Sequence, residues 1–180
     1  MKKIILPLTK DIIKKLKVGD EVLLTGRIYT ARDAAHKRIY ECIKKKKKLP
    51  IRLRNNIIYY CGPAPAMPHK AIGSCGPTTA RRMDGFSNLL LAKGLSGMIG
   101  KGDRSKETKD AIRKYKGIYF VTIGGAGAYL ASKVKKARIA AYKDLGPEAI
   151  YEFLVEDFPV IVAIDSKGRD IYELLEQGAA

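Results

Sequence analysis

Acidic residues are scarce in this chain. Eighteen Asp and Glu stand against 35 Lys and Arg, a formal net charge of +17 at neutral pH. Side-chain amides are scarcer still, with three Asn and one Gln against abundant Lys, Glu and Ile, a balance of the hyperthermophile type. Cysteine occurs only as Cys42, Cys61 and Cys75, an odd number without a C-x-x-C spacing. That argues against a disulfide framework and for a reducing, cytoplasmic setting. Long apolar runs are missing too, since Lys or Gly interrupts each candidate, so no membrane span is predicted. The opening Met1–Pro7 imitates a signal peptide. Its apolar stretch is too short and no small-residue cleavage site follows, so it reads as an opening strand. No internal repeat is visible.

The remaining composition is that of a globular protein. With 46% hydrophobic residues in 180, one compact domain spanning 1–180 is expected, and a second full domain is not. A strand is predicted over Ile4–Leu6, then a helix capped by Thr9 with Ile12, Ile13 and Leu16 on its apolar face. A strand over Glu21–Tyr29 leads to a helix that starts at Arg32 and frays into the lysine run Lys44–Lys48. A strand near Ile57–Cys61 follows. Four prolines and three glycines between Gly62 and Pro77 exclude a regular element there, and a loop of that length is usually functional or mobile. Beyond it the pattern predicts a helix from Thr78 to about Lys93 and a strand near Met98. A helix over Lys106–Tyr115, a strand over Ile118–Ile123 and a helix over Ala128–Lys135 come next. Strands over Arg138–Tyr142, near Phe153 and over Val160–Ile164 complete it. Alternating helices and strands predict an α/β fold.

Chemistry concentrates in Cys75-Gly76-Pro77-Thr78-Thr79-Ala80-Arg81-Arg82-Met83-Asp84. Helix-start amides attract anions, arginine forks grip carboxylates, and hydroxyls add hydrogen bonds or a reactive oxygen. A small di-acid would need this set; a Thr-capped helix with solvated arginines is the plain alternative. Upstream lies Arg32-Asp33-Ala34-Ala35-His36-Lys37-Arg38, and downstream Gly100-Lys101-Gly102-Asp103-Arg104, where flanking glycines leave the lysine open to an anion. His36, with an ordinary pKa near ~6.5, could carry a proton at neutral pH. Gly125-x-Gly127 resembles a dinucleotide fingerprint with Asp144 at about the right distance. The sixth position is Leu130 and no second nucleotide-binding half follows, so a close-packed helix start is expected instead. The Lys44–Lys48 run carries no interleaved aromatics, which favours a solvated face or an acidic partner over nucleic acid.

Taken in order, "TARDAAHKRI", "GPTTARRMD" and "MIGKGD" resemble the beta subunit, or C-terminal domain, of the class I iron–sulfur fumarate hydratases and their L-tartrate dehydratase relatives. Tyr59–Pro63, Thr122–Gly127 and Val155–Pro159 extend the resemblance over nearly the whole chain. It implies a swivelling β/β/α domain. It also implies the beta half of a two-chain hydro-lyase that reversibly hydrates fumarate to L-malate, as part of a hetero-oligomer. On that resemblance Arg32, Thr79, Arg82 and Lys101 bind substrate carboxylate, while Thr78 handles the proton with Thr79 positioning it; His36 is a further catalytic candidate. The [4Fe-4S] cluster belongs to the alpha subunit, so Cys42, Cys61 and Cys75 are expected to be core or loop thiols with no metal on this chain. L-tartrate dehydratase is the alternative within the same chemistry, and the approach "GPAPAMPHKAIGSCGPTT" favours fumarate. A non-enzymatic, basic RNA-binding module is the alternative of a different class. It leaves the ordered loop motifs unexplained.

Overall fold

The computed structural model describes residues 1–178. Its strands are β1 (Lys2–Ile5), β2 (Glu21–Thr30), β3 (Ile57–Tyr59), β4 (Gly97–Gly100), β5 (Ile118–Val121), β6 (Val134–Ala141) and β7 (Ile150–Ile164). Strands β2 to β5 pair parallel in succession, while β7 runs antiparallel to both β5 and β2. The pairings therefore close a five-stranded ring. β1 adds to the first half of β2, and β6 to the first half of β7.

Residue alternation explains why the ring holds. Ile57, Tyr59 and Cys61 face one apolar cluster with Ile99, Phe120, Phe153 and Phe158, while Ile58, Tyr60, Met98 and Tyr119 face a second. Successive side chains point to opposite faces, so the parallel strands are apolar on both. The second cluster packs against α2 (Asp33–Lys44), α3 (Asp84–Ala92) and α4 (Lys106–Tyr115). The first receives Ile13 and Leu16 around α1 (Lys10–Lys15) and Leu130 from α5 (Gly127–Ser132). Tyr59 meets Phe158 edge-on at 5.4 Å, an arrangement worth about 1 kcal/mol beyond the area it buries. The α/β expectation agrees with this mixed sheet.

Several local expectations are corrected. Thr9 stands at the start of α1 without a side-chain capping bond. The expected helix from Thr78 begins later, as a 3-10 turn over Ala80–Met83 that runs into α3. The backbone groups of Thr78 and Ala80 are committed elsewhere, as described below. β6 starts at Val134, so α5 ends at Ser132 rather than near Lys135. The two late strands are one 15-residue strand. A final helix, α6 (Ile171–Gly178), was not foreseen. No helix among the described residues is long and apolar enough to cross a membrane.

Candidate active site

The motif residues collect at the carboxyl ends of the parallel strands. Arg32 follows β2, Cys61 and Gly62 follow β3, and Lys101 follows β4. Past β3 and β4 the two chains separate, and the segment Thr78–Ala80 fills the opening between them. The Thr78 amide donates to the Tyr60 carbonyl at 2.7 Å, the Lys101 amide to the Thr78 carbonyl at 3.3 Å, and the Ala80 amide to the Lys101 carbonyl at 2.9 Å. Thr79 thus pairs in parallel register with Lys101. This pairing explains why the helix cannot begin at Thr78.

The Pro/Gly loop 62–77 carries this segment into place. Tyr59 donates its hydroxyl to the Cys75 carbonyl at 2.5 Å, and the Cys75 amide donates to the Gly127 carbonyl at 3.1 Å. A Cβ at Gly127 would overlap Ser74 Oγ and come within 3.0 Å of the Gly76 nitrogen. The glycine fingerprint is therefore a close backbone approach supporting the loop. Asp144 is gripped by both terminal nitrogens of Arg38, at 2.9 and 2.5 Å, which occupies the acidic residue a ribose would have needed.

One carboxylate joins the two arginines. Arg82 Nε donates to Asp33 Oδ1 at 2.9 Å, and Arg32 Nε lies 3.8 Å from Asp33 Oδ2 and 3.3 Å from Glu148 Oε1. The Arg32 side chain lies across Gly62, where a Cβ would sit 3.0 Å from its Cδ. Asp33 precedes the buried positions Ala35, His36, Ile39 and Ile43 of α2, so the apolar face of that helix fixes Asp33 at the mouth of the site. Arg82 is about half exposed and uses only Nε among the described residues, so its terminal nitrogens have no partner there. Lys101 is exposed and makes no ion pair among the described residues. Thr79 is exposed and Thr78 half-buried.

His36 is not the titrating surface imidazole that its unperturbed pKa would suggest. It is 1% exposed, edge-on to Tyr60 at 5.3 Å and tilted against Phe86 at 5.9 Å. Burial lowers its pKa to about 4, partly opposed by the hydrogen bond to the Arg32 carbonyl and reinforced by the nearby Arg104. At neutral pH its Nδ1–H donates to that carbonyl at 2.9 Å, while Nε2 has no partner. The ring holds the Arg32 backbone from behind.

Arg104 was missed as a site residue although it closes the Gly100–Arg104 motif. Its guanidinium is 1% exposed and lies over the Tyr119 ring at 4.8 Å and the Tyr60 ring at 5.4 Å. It donates to Asp84 at 2.6 Å and to Ser87 Oγ at 2.7 Å. Burial pulls its pKa down, but Tyr60, Asp84 and Tyr119 outweigh this and hold it above the ordinary value. It forms a fixed charge beneath Tyr60, whose amide and carbonyl lie beside the Thr78 segment. A sequence signal existed, since an arginine directly after Gly-Lys-Gly-Asp belongs to the same motif as Lys101.

The thiols do not fit cluster ligation. Cys61 and Cys75 are buried, and the neighbouring Cys75 thiol together with burial drives the Cys61 pKa upward, away from the thiolate a metal needs. Cys42 is elsewhere, 3.7 Å from the Tyr142 hydroxyl. Among the described residues no three His, Cys, Asp or Glu side chains are grouped to hold a metal ion.

Cationic forks, an ammonium and adjacent hydroxyls thus gather at the strand ends of this α/β domain. The chain belongs to the family described as Fumarase C-terminus, whose model matches residues 1–175. It is 41% identical over 169 residues to the anaerobic class I fumarate hydratase of Escherichia coli, covering 91% of this chain and 31% of that protein. Against fumarate hydratase 2 of Leishmania major it is 41% identical over 162 residues, 89% of this chain and 28% of that one. It is 44% identical over 172 residues to a Methanocaldococcus jannaschii chain named "Putative L(+)-tartrate dehydratase subunit beta", covering 92% of this chain and 88% of that one. The chain thus spans roughly 30% of these fumarate hydratases and most of the subunit.

Proposed function

We propose that this chain is the beta subunit of a two-chain hydro-lyase of the fumarate hydratase type, interconverting fumarate and L-malate. The observation that carries the reading is the joining of Arg32 to Arg82 through Asp33, beside a strand end where Thr79 is in register with Lys101. The near-complete match to a chain named as a beta subunit supports a separate alpha chain. The resemblance assigns the [4Fe-4S] cluster to that alpha chain, in a cytoplasmic hetero-oligomer.

Arg82 and Arg32 orient one substrate carboxylate, with Asp33 hydrogen-bonded to Arg82 and lying 3.8 Å from Arg32, and the Lys101 ammonium adds charge as negative charge develops on the dehydrating acid. The deprotonated oxygen of one of the Thr78–Thr79 pair takes the proton beside the carboxylate and becomes the hydroxyl, which returns that proton in the hydration direction. Sequence position favoured Thr78. The backbone register with Lys101 and the greater exposure favour Thr79. Thr78, its backbone tied to Tyr60 and Lys101, then positions that hydroxyl. Burial moves His36 from the reacting groups to a positioning role behind Arg32.

Tartrate is the second reading, favoured by the similarity to the tartrate dehydratase beta-subunit relative. Steady-state kinetics of the chain assembled with its alpha partner distinguish the two. The fumarate reading expects a higher kcat/KM for L-malate and fumarate than for tartrate. Faster turnover of tartrate selects the second reading.

A further inference from the structure

The outer face of β2, β7 and β6 stays open to solvent where the helical layer ends. Strand register sets out its side chains. Arg27, Leu154 and Lys136 form one row across the three strands, and Tyr29, Glu152 and Arg138 form the next. Arg27 and Arg138 are 60% and 70% exposed, while Glu152 is sunk between them at 14%. Arg138 clasps Glu152 through two hydrogen bonds of 2.9 and 3.1 Å, and the Tyr29 hydroxyl adds a third at 3.3 Å. These contacts, the Arg138 hydrogen bond foremost, keep the Glu152 carboxyl below its usual pKa, so it is ionised and already satisfied.

Two grooves meet on this face. One, of about 510 Å³, is bordered by Lys135, Lys136 and Arg138; the other, of about 460 Å³, by Arg52 and Arg54. They share Arg27 and Leu154 and so run together. Six cations thus border the grooves against two carboxylates, Glu152, paired by Arg138 and Arg27, and Glu156, 3.4 Å from Lys135. Leu154 lies 44% exposed among them. The Lys44–Lys48 run does not line either groove.

We propose that this basic groove is the docking surface for an acidic polypeptide segment of the larger partner chain, an inference that rests on the two-chain reading. Charge complementarity selects the sign of the occupant. The floor selects its class. Single-stranded nucleic acid is held by exposed aromatic platforms as well as by cations. The one aromatic here, Tyr29, is buried with its hydroxyl committed to Glu152. Exposed Leu154 with Leu6 and Ala137 instead offers the apolar strip that a polypeptide side chain covers. Three strands are about 10 Å across, the width of one helix or one extended segment with its side chains.

The test uses the full chain carrying Arg52→Glu, Arg54→Glu and Lys136→Glu together. None of the three makes an ion pair among the described residues, so reversal strands no partner, and all lie outside the proposed active site. Association with the alpha chain is measured by sedimentation and calorimetry at low and high salt, with circular dichroism confirming the fold. We expect the Kd at low salt to rise by about 100-fold or more. The difference should shrink at high salt, where exposed charges are screened. Hydration of fumarate at saturating partner should stay at the parent level, and Arg52→Lys with Arg54→Lys should retain the parent Kd. An unchanged Kd, with the parent pair active, overturns the groove and leaves the two-chain reading standing. Loss of oligouridylate binding in the variant, with partner affinity intact, overturns it in favour of nucleic acid. No complex and no activity from the parent pair defeats both readings.

Discussion

His36 should make the fold sensitive to mild acid. Its pKa falls from about 6.5 to about 4 because burial disfavours the imidazolium. The sign follows from proton counting. Between pH 6.5 and 4 the unfolded chain holds a proton on this imidazole that the folded chain does not, so unfolding is favoured as pH falls. At about 1.36 kcal/mol per pKa unit, a shift of this size amounts to about 3 kcal/mol. That is a large share of the 5–15 kcal/mol typical of a domain. Stability should be level above pH 6.5 and decline from there toward pH 4. The lowered carboxyls of Asp20, Glu152 and Asp165 also lose stability as pH falls, but below their ordinary range near pH 4. Urea unfolding across the interval measures the slope, and NMR of the imidazole protons follows His36 directly. His69, exposed on the Pro-rich loop, supplies the only other imidazole signal. His36→Phe keeps the aromatic contacts with Tyr60 and Phe86 and should abolish the slope above pH 4.5. A parent slope that survives in His36→Phe, or a His36 signal titrating near 6.5, refutes the reasoning.

Arg104→Met should destabilise the fold by about 3–5 kcal/mol, because it leaves Asp84 buried without its cation; urea denaturation reads the loss, and a change below 1 kcal/mol contradicts the account. Thr79→Val should lower kcat by on the order of 10²–10⁴ with assembly intact. Thr78→Val should cost less, and the reverse order returns the proton to Thr78. Arg82→Ala and Lys101→Ala should each weaken substrate binding by roughly 1.5–3 kcal/mol with little change in Tm, since both are surface cations. Unaltered steady-state parameters in the assembled enzyme would make them bystanders. Gly127→Ala should cost about 1–3 kcal/mol by pushing apart the Ser74–Gly76 strand of the loop, visible as faster proteolysis within 62–77.

Local signals carried far in this sequence. α4 spans Lys106–Tyr115 as expected because Ser105 caps it, accepting from the Thr108 amide at 3.3 Å. The strand near Ile57–Cys61 was legible from its β-branched and aromatic residues, whereas its division between two apolar clusters was not, since every position is apolar. Long-range backbone commitments were not legible. The Thr78 segment looks like a helix start from its residues alone, and only the pairing with Tyr60 and Lys101 prevents one. Asp157-Phe158-Pro159 reads as a break, yet β7 passes through it: Asp157 takes a left-handed φ of 48° and its amide donates to Thr25 Oγ1 at 3.0 Å. In the site, Arg82 and Lys101 stood out by residue type beside their glycines and hydroxyls, and Arg32 through the motif resemblance. Asp33 was visible beside Arg32, but its bond to Arg82, 49 residues away, was not. The burial of His36 depends on α3 supplying Phe86, which no spacing in its own helix reveals.

Titration of a fixed amount of the alpha chain with this chain, under anaerobic conditions and with L-malate and fumarate as substrates, tests the central claim most directly. The account predicts no turnover from either chain alone, activity rising to a plateau at equimolar mixing, and iron only in the partner's fraction when the two are separated. Turnover by either chain alone, or a stoichiometric cluster reconstituted on this chain by itself, contradicts it.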